Sequence, residues 1–418
     1  MKKNSNSQTK SERNSKRVKA RGPVEGNTKE VIAELVAKLT ERLGAKPAQE
    51  NATEAKPRSG HAPAPNRDRL TVGVDLGDQW SHYCILGLEG ETLAEGQLRT
   101  TPESFAELFQ TLSATRVVIE VGTHSAWVRE VVVSCGHEVL VANPRRMDGT
   151  KRRKRKNDRV DANQLARVGR MDPQSLFPIE HRSTEVRQDL VVLRARDAWV
   201  AARTQRINTT RGLVKSVGAR LPKCSSASFP HKVEEALPAE VREALLPLVR
   251  LAEALSDCIK IYDERIEKLA TEKYAHTSLL RQVKGVESLT SLAYVLTLEN
   301  PEWFAKSRDV GPYLGFVAKQ EDSGESQPQL GISKAGDEMV RRLLVGSAHY
   351  ILGPLGPDTD LRRYGLRLCE RGGKNAKKRA AVAVAGKLAV LLHRLWVSGE
   401  VYEPLRNSVP AVTAQEAA

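Results

Sequence analysis

Apolar and polar positions divide this chain into stretches of different period. From Leu70 the apolar residues come in short runs, and "LTVGVDLG", "HYCILGL" and "TLAEGQLRT" predict three strands separated by short turns. "ESFAELFQTLSA" then shows the spacing of an amphipathic helix. "RVVIEVG" predicts a fourth strand, "AWVREVVVSCG" a helix closed by Gly136, and "EVLVAN" a fifth strand. Three strands followed by alternating helices and strands predict an α/β layer on a mixed sheet.

The middle of the chain follows a helical period. Val241, Leu245, Leu248, Ala252, Leu255, Ile259, Tyr262, Ile266 and Leu269 repeat with four-three spacing, which predicts a coiled coil. One long amphipathic helix packed inside its own domain is the alternative. Residues 186–217 are the expected antiparallel partner, with Asp197 and Arg211 interrupting the seam and "LPKCSSASFP" as the loop between. From about residue 276, "GVESLTSLAYVL" is helical, a polar Gly-rich segment follows, and "KNAKKRAAVAVAGKLAVLLHRLWV" predicts a cationic last helix. At the other end, residues 1–26 are polar, cationic and expected to be disordered. In "NTKEVIAELVAKLTERLG" the residues Val31, Ile32, Leu35, Val36, Leu39 and Leu43 share a helical face that Gly44 can end, and the Ala/Pro-rich stretch up to residue 69 resembles a linker.

These patterns set an expected organisation: a basic extension with one amphipathic helix (1–69), an α/β domain (70–178), a coiled-coil helical region (179–275), a mostly helical C-terminal domain (276–400) and a tail (401–418). The fold class is thus α/β plus all-α. With 418 residues the chain is long enough for two or three domains.

Composition narrows the partners. A net charge of +15 favours a polyanion, nucleic acid or an anionic membrane surface. "AAVAVAGKLAVLLHRLWV" is broken by Lys387, His393 and Arg394, so it reads as a buried or docked helix rather than a bilayer span. The N-terminus lacks the apolar core of a signal peptide. Five cysteines without C-x-x-C spacing and nine histidines without H-E-x-x-H indicate neither a zinc site nor a disulfide framework, and fit a reduced cytoplasm. Aromatic residues make up only 5%, which argues against base-stacking platforms and for a grip on the nucleic-acid backbone.

The candidate chemistry is acidic. "KRRKRKNDRVDANQLARV" places six cations, Lys151, Arg152, Arg153, Lys154, Arg155 and Lys156, directly before Asp158 and Asp161. Alone, such a stretch is a solvated charge run followed by an exposed helix face. Asp75 ends the first strand, however, and Glu120 stands in the otherwise apolar fourth, where a carboxylate is costly to bury unless it is paired or binds metal. Asp158 and Asp161 are three apart, on one helix face. Four carboxylates brought together repel, and divalent cations relieve that repulsion. Mg²⁺ (or Mn²⁺) takes oxygen ligands, and two such ions about 3.5–4 Å apart stabilise both the attacking and leaving oxygens at phosphorus. The basic run would hold the phosphodiester chain while the acidic residues act on it. Arg145, Arg146, Lys334, Arg341 and Arg342 are further candidate nucleic-acid contacts.

In order along the chain, "VGVDLG", "VIEVGTHSAWV" and "KNDRVDANQLA" resemble the three acidic motifs of the DEDD-type insertion-sequence transposases, which are similar to Holliday-junction resolvases. The resemblance extends through "VKGVESLTSLAYVLTLENPEWFAKSRDVGPYLGF", "DSGESQPQLGISKAGDEMVRRLLVGSAHY" and "KKRAAVAVAGKLA", roughly residues 70–400. It implies a RuvC-like ribonuclease-H fold for the first domain, with Asp75, Glu120, Asp158 and Asp161 as its metal-binding catalytic set. It also implies a nucleophilic serine in an S-G dipeptide of the C-terminal domain. That serine falls on Ser323 in "EDSGES", with Ser326 and Ser333 as rivals. The family further implies DNA as substrate and a structured guide RNA encoded by the element's flanks. Ser323 is far from Asp161 in sequence with the coiled coil between, so the two halves are expected to meet between protomers of a homo-oligomer, dimer or tetramer. Glu287 in "KGVE" departs from the family's G-hydrophobic-G turn, whose backbone N–H groups can bind phosphate.

The resulting expectation is a recombinase that cleaves and rejoins DNA through a serine-linked intermediate, as a transposase or a DNA invertase of the same family. A resolvase-like nuclease without serine chemistry is the first alternative. A non-catalytic nucleic-acid-binding protein is the second, disfavoured because binding alone needs no carboxylate cluster.

Overall fold

The computed structural model describes residues 69–144, 158–320, 324, 326, 328 and 330–407, and the chain divides into two compact units, Met1–His181 and Arg182–Ala418. The amphipathic helix expected near the N-terminus lies outside the described residues, as do Arg145, Arg146, the run Lys151–Lys156 and Ser323.

In the first unit the strands are β1 (Thr71–Asp75), β2 (Trp80–Leu86), β3 (Thr92–Arg99), β4 (Arg116–Glu120) and β5 (Glu138–Ala142). The described helices are α1 (Pro102–Phe109), α2 (Ser125–Ser134) and α3 (Asp158–Met171). Sheet order is β3-β2-β1-β4-β5, with β1–β2 and β2–β3 antiparallel and β1–β4 and β4–β5 parallel. Strand alternation sends Val72, Val74, Tyr83, Ile85, Val117 and Ile119 into one core with Phe105, Leu108 and Phe109 of α1 and Val128 and Val132 of α2. The opposite face carries Cys84 and Leu86 against Ala162 and Ala166 of α3, and Val118, Leu140 and Ala142 against Leu165. A mixed sheet with helices on both faces fits a ribonuclease-H-like fold.

The helix α3 lies unusually close to the sheet, and Gly73 is the reason. A Cβ there would sit 2.1 Å from the Ala162 carbonyl oxygen and 2.4 Å from the Ala166 nitrogen, backbone atoms that cannot swing away. At the far end of α3, Arg116 is buried, paired with Glu138 at 3.0 Å, and donates to the Gly169 carbonyl at 3.2 Å. Gly73→Ala should therefore destabilise the first unit by about 1–3 kcal/mol or more. Thermal or urea unfolding of the full chain checks this; wild-type stability would show that α3 can lift off the sheet without penalty.

The second unit is helical: α4 (Thr184–Ser216), α5 (Phe229–Glu234), α6 (Ala239–Lys268), α7 (Thr277–Arg281), α8 (Ser288–Leu298), α9 (Val310–Tyr313), α10 (Glu338–Leu352), α11 (Asp360–Glu370) and α12 (Ala376–Ser398). α4 and α6 run antiparallel, as the contacts of Arg196 with Asp263 (2.5 Å) and Arg203 with Ser256 (3.3 Å) show. Leu245, Ala252, Leu255, Ile259 and Ile266 of the heptad pattern are buried, so an intrachain partner covers this seam. Of the residues that interrupt the α4 pattern, Asp197 pairs with Arg342 and the Arg211 guanidinium lies over the Phe229 ring at 5.3 Å.

This helix pair has two cores. At one end Ile207 and Val214 pack with Phe229, Val233, Leu245, Val249 and Ala252. At the other, Val186, Leu190, Leu193 and Ile266 join α8, α10 and α12 in the main core of the unit. None of residues 194–206 of α4 is fully buried. At the root, Asp189 accepts from the Lys273 ammonium (2.5 Å) and the Tyr274 hydroxyl (2.7 Å). Hydrogen bonds to Asp189 and Glu185 hold the ammonium protonated well above the usual lysine range.

By length and composition α12 could cross a membrane. Here it is the central helix of the unit: Val384, Ala385, Leu388, Ala389, Leu392 and Leu395 are buried, and the Tyr294 hydroxyl of α8 donates to the Ala389 carbonyl at 2.6 Å. His393, which breaks its apolar run, is buried and bonded to the Ser307 hydroxyl and the Pro301 carbonyl, both at 3.0 Å.

Candidate active site

At the C-terminal ends of β1 and β4, the alternation that buries Val72 and Val74 on one face points Gly73 and Asp75 to the other, toward α3. Glu120 takes the same side as Val118 on the neighbouring strand. Close packing on Gly73 brings the first turn of α3 to this sheet edge. Ala162 and Leu165 are buried, and the residues four before them, Asp158 and Asp161, extend past the end of the contact.

The result is a cluster in which one carboxylate oxygen each from Asp75, Asp158 and Asp161 lies within 4.8 Å of the others. Asp75 and Asp161 are half-buried and Asp158 is exposed. At that separation each like-charge pair repels by of order 3 kcal/mol at an effective dielectric constant near 20. All the donors are carboxylate oxygens, a set that suits Mg²⁺ or Mn²⁺ rather than a softer metal. Glu120 is outside this group of three. It is half-buried at the end of β4, opposite Ala142 of β5, rather than fully buried in the apolar run. Its place is on the same sheet face, one strand from Asp75.

The surroundings are polar and ordered. His124 faces Asp78 at 3.7 Å and accepts from the Trp127 indole at 3.1 Å, which fixes the loop after β4. Across the antiparallel ladder, Asp75 is paired with His82, and His82 with Gln97. Arg159, between the two helical aspartates, pairs with Glu95 of β3. Asn163 reaches Cys84, Thr92 and Glu95 at 3.2–3.4 Å, and burial together with the charge of Glu95 pushes the Cys84 thiol up. Sequence reasoning passed over His82, Glu95, Gln97 and Arg159. Period-two counting from Asp75 through the hairpin could have found the first three.

The serine segment belongs to the second unit. Its base is ordered: Ala318 bridges Ile332, Lys319 N–H donates to the Gly331 carbonyl (2.9 Å) and Ser333 N–H to the Val317 carbonyl (2.8 Å). Ser323, which lies between these bridged positions in sequence, is outside the described residues. Ser326 is exposed, whereas the Ser333 hydroxyl oxygen is buried without a hydrogen-bond partner among the described residues. Lys334 is exposed and adopts a left-handed φ of 55°, a conformation that costs a non-glycine residue about 1–2 kcal/mol. Beside it, Gly315 has φ 77°, and a Cβ there would come within 2.5 Å of the Ala335 nitrogen. Of the expected nucleic-acid contacts, Arg341 is half-buried and donates to the Leu314 carbonyl at 3.2 Å and the Gly336 carbonyl at 2.5 Å, and Arg342 is tied to Asp197. Arg341 thus holds the loop's backbone. In "KGVE", Gly285 is left-handed (φ 92°) and Glu287 is the N-cap of α8.

Known proteins share this arrangement of segments. Residues 72–218 match the DEDD transposase family of IS110, and residues 277–354 match the transposase IS116/IS110/IS902 family. The chain belongs to the IS110 family of insertion-sequence transposases. Among its relatives, the transposase for insertion sequence element IS1111A of Coxiella burnetii is 26% identical over 345 residues, 80% of this chain and 92% of that one. A probable family 20 transposase of Pseudomonas aeruginosa is 25% identical over 341 residues, 80% of this chain and 98% of the relative. The transposase for IS1328 of Yersinia enterocolitica is 25% identical over 285 residues, covering 66% and 82%. In this IS110-family transposase the first matched segment contains all four acidic candidates, and the second contains Ser323.

Proposed function

We propose that this transposase cleaves and rejoins DNA with a divalent-metal site on Asp75, Asp158 and Asp161, completed by Glu120, and with Ser323 as the strand-linking nucleophile. The convergence of the three aspartates at one sheet edge carries the reading. Mg²⁺ or Mn²⁺ held there would supply Lewis-acid stabilisation of charge at phosphorus. The carboxylates orient and neutralise; they need no proton transfer of their own. The cations of the run Lys151–Lys156, with Arg145, Arg146 and the outward Lys334, grip phosphates. A serine hydroxyl needs an activating group, so the acidic site of a partner protomer is the proposed source.

The chemistry balances without an external cofactor. The Ser323 Oγ–P bond forms as a P–O bond of the DNA backbone breaks. The serine proton is lost to solvent and the departing deoxyribose oxygen takes one up. Attack by the other strand's hydroxyl reverses the exchange and restores the serine. The net charge of +15 suits an assembly that also holds a structured guide RNA, and a homo-oligomer provides the second protomer.

Product analysis with full-length protein, element-end DNA and Mg²⁺ tests the proposal. Rejoined strands, a protein–DNA adduct that survives boiling in detergent, and loss of both with chelator are expected. Open ends without adduct would instead identify a resolvase-like nuclease. Cleavage unaffected by chelator would remove the metal site. Sequencing of copurifying RNA tests the guide, since a transcript from the element's flanks is the expected species.

A further inference from the structure

Beside the aspartates, on the same face of the sheet, His82, Glu95, Gly96, Gln97 and Arg159 line an open pocket of about 260 Å³. We propose that it takes the nucleobase next to the phosphate held by the aspartates, an inference that rests on the metal-site reading above. Its position follows from strand register. His82 is the cross-strand partner of Asp75, and directly opposed residues have Cβ atoms about 4.5–5.5 Å apart, so the cavity begins one side chain from the acidic cluster. Arg159 immediately follows Asp158 on α3, which fixes the opposite wall.

The lining suits a base edge. His82 and Gln97 oppose each other on β2 and β3, and neither side chain hydrogen-bonds to another described residue. The Gln97 amide offers both a donor and an acceptor, the pairing that recognises a base edge bidentately. Glu95, whose side chain is only 18% exposed, is held by Arg159 and Asn163, so the wall carries charge already compensated and keeps its shape. The volume is below that of cavities that enclose whole drug-sized ligands, and leaves room for one flat heterocycle. A backbone-gripping protein with few aromatics would thereby gain one point of base readout at the cut.

Two oligonucleotides of one sequence, DNA and RNA, each with 5-iodouracil at successive positions, are bound to the full-length protein, irradiated and mapped. Adducts in the peptides containing His82 or Gln97 are expected, and the arm that gives them identifies the strand that enters. With Gln97→Ala these adducts should fall about tenfold while total oligonucleotide binding is retained, because a bidentate contact discriminates bases by about 5- to 150-fold. Adducts confined to other peptides in both arms, or unchanged by Gln97→Ala, overturn the proposal. The readout is binding, so it is independent of cleavage: adducts at these peptides from a protein whose cleavage ignores Asp75→Asn would sustain the pocket and sink the metal site.

Discussion

Asp75→Asn and Asp161→Asn should each lower metal-dependent strand cleavage by at least about a thousandfold, with nucleic-acid binding retained. Each substitution leaves the side-chain shape and removes one charge from three oxygens packed within 4.8 Å. The repulsion among them falls while a divalent cation loses a ligand, so activity should drop with the fold retained. That combination separates a working site from a structural one, whose carboxylate would destabilise on removal without touching metal-dependent chemistry. Asp158→Asn should behave alike. Glu120→Gln, outside the group of three, should have a smaller but measurable effect; unchanged cleavage would make it a strand-end residue only. Cleavage assays with Mg²⁺ and Mn²⁺, beside thermal unfolding, give both readouts. An Asp161→Asn protein with full activity would remove that residue from the site.

Ser323→Ala should abolish strand exchange, on the order of 10⁴-fold or more, while leaving the aspartates and metal affinity untouched. No other change tests the serine reading so directly, because an alanine removes only the oxygen that would bond to phosphorus. Ser326→Ala is the exposed control. Ser333→Ala is the sharper one, since its hydroxyl is buried and lacks a hydrogen-bond partner among the described residues, and losing it should leave exchange intact and stability unchanged or raised. Trapped protein–DNA adducts mapped to residue 323 would complete the assignment. Exchange by the Ser323→Ala protein, or an adduct on Ser333, would overturn it.

The sheet was legible because its strands are short apolar runs, and "VGVDLG" places Asp75 at a strand end by counting alone, whereas Glu120, read inside an apolar run, ends β4 half-buried. The three-residue spacing of Asp158 and Asp161 likewise gave a shared helix face. What counting could not give was the distance between these segments. That depends on Gly73 meeting the backbone of Ala162, a contact 89 positions apart in sequence. The heptads were visible too, but a period states that a helix has an apolar seam and not who fills it; α4 fills it here. Arg341 was read as a phosphate contact because it is a cation near a polar loop, and its carbonyl partners come from a fold that the local sequence does not encode. His82 and Gln97 were missed because each is an ordinary polar residue of a hairpin until register sets them beside Asp75.

The α4–α6 pair also has a mechanical meaning. Its tip and its root are each fastened by an apolar core, but between Leu193 and Ile207 no α4 residue is fully buried, and polar pairs to Asp263, Ser256 and Arg342 hold this stretch. Stiffness follows packing, so this lever has a compliant waist between two rigid ends. A load at the tip would bend the arm there before it disturbed either core.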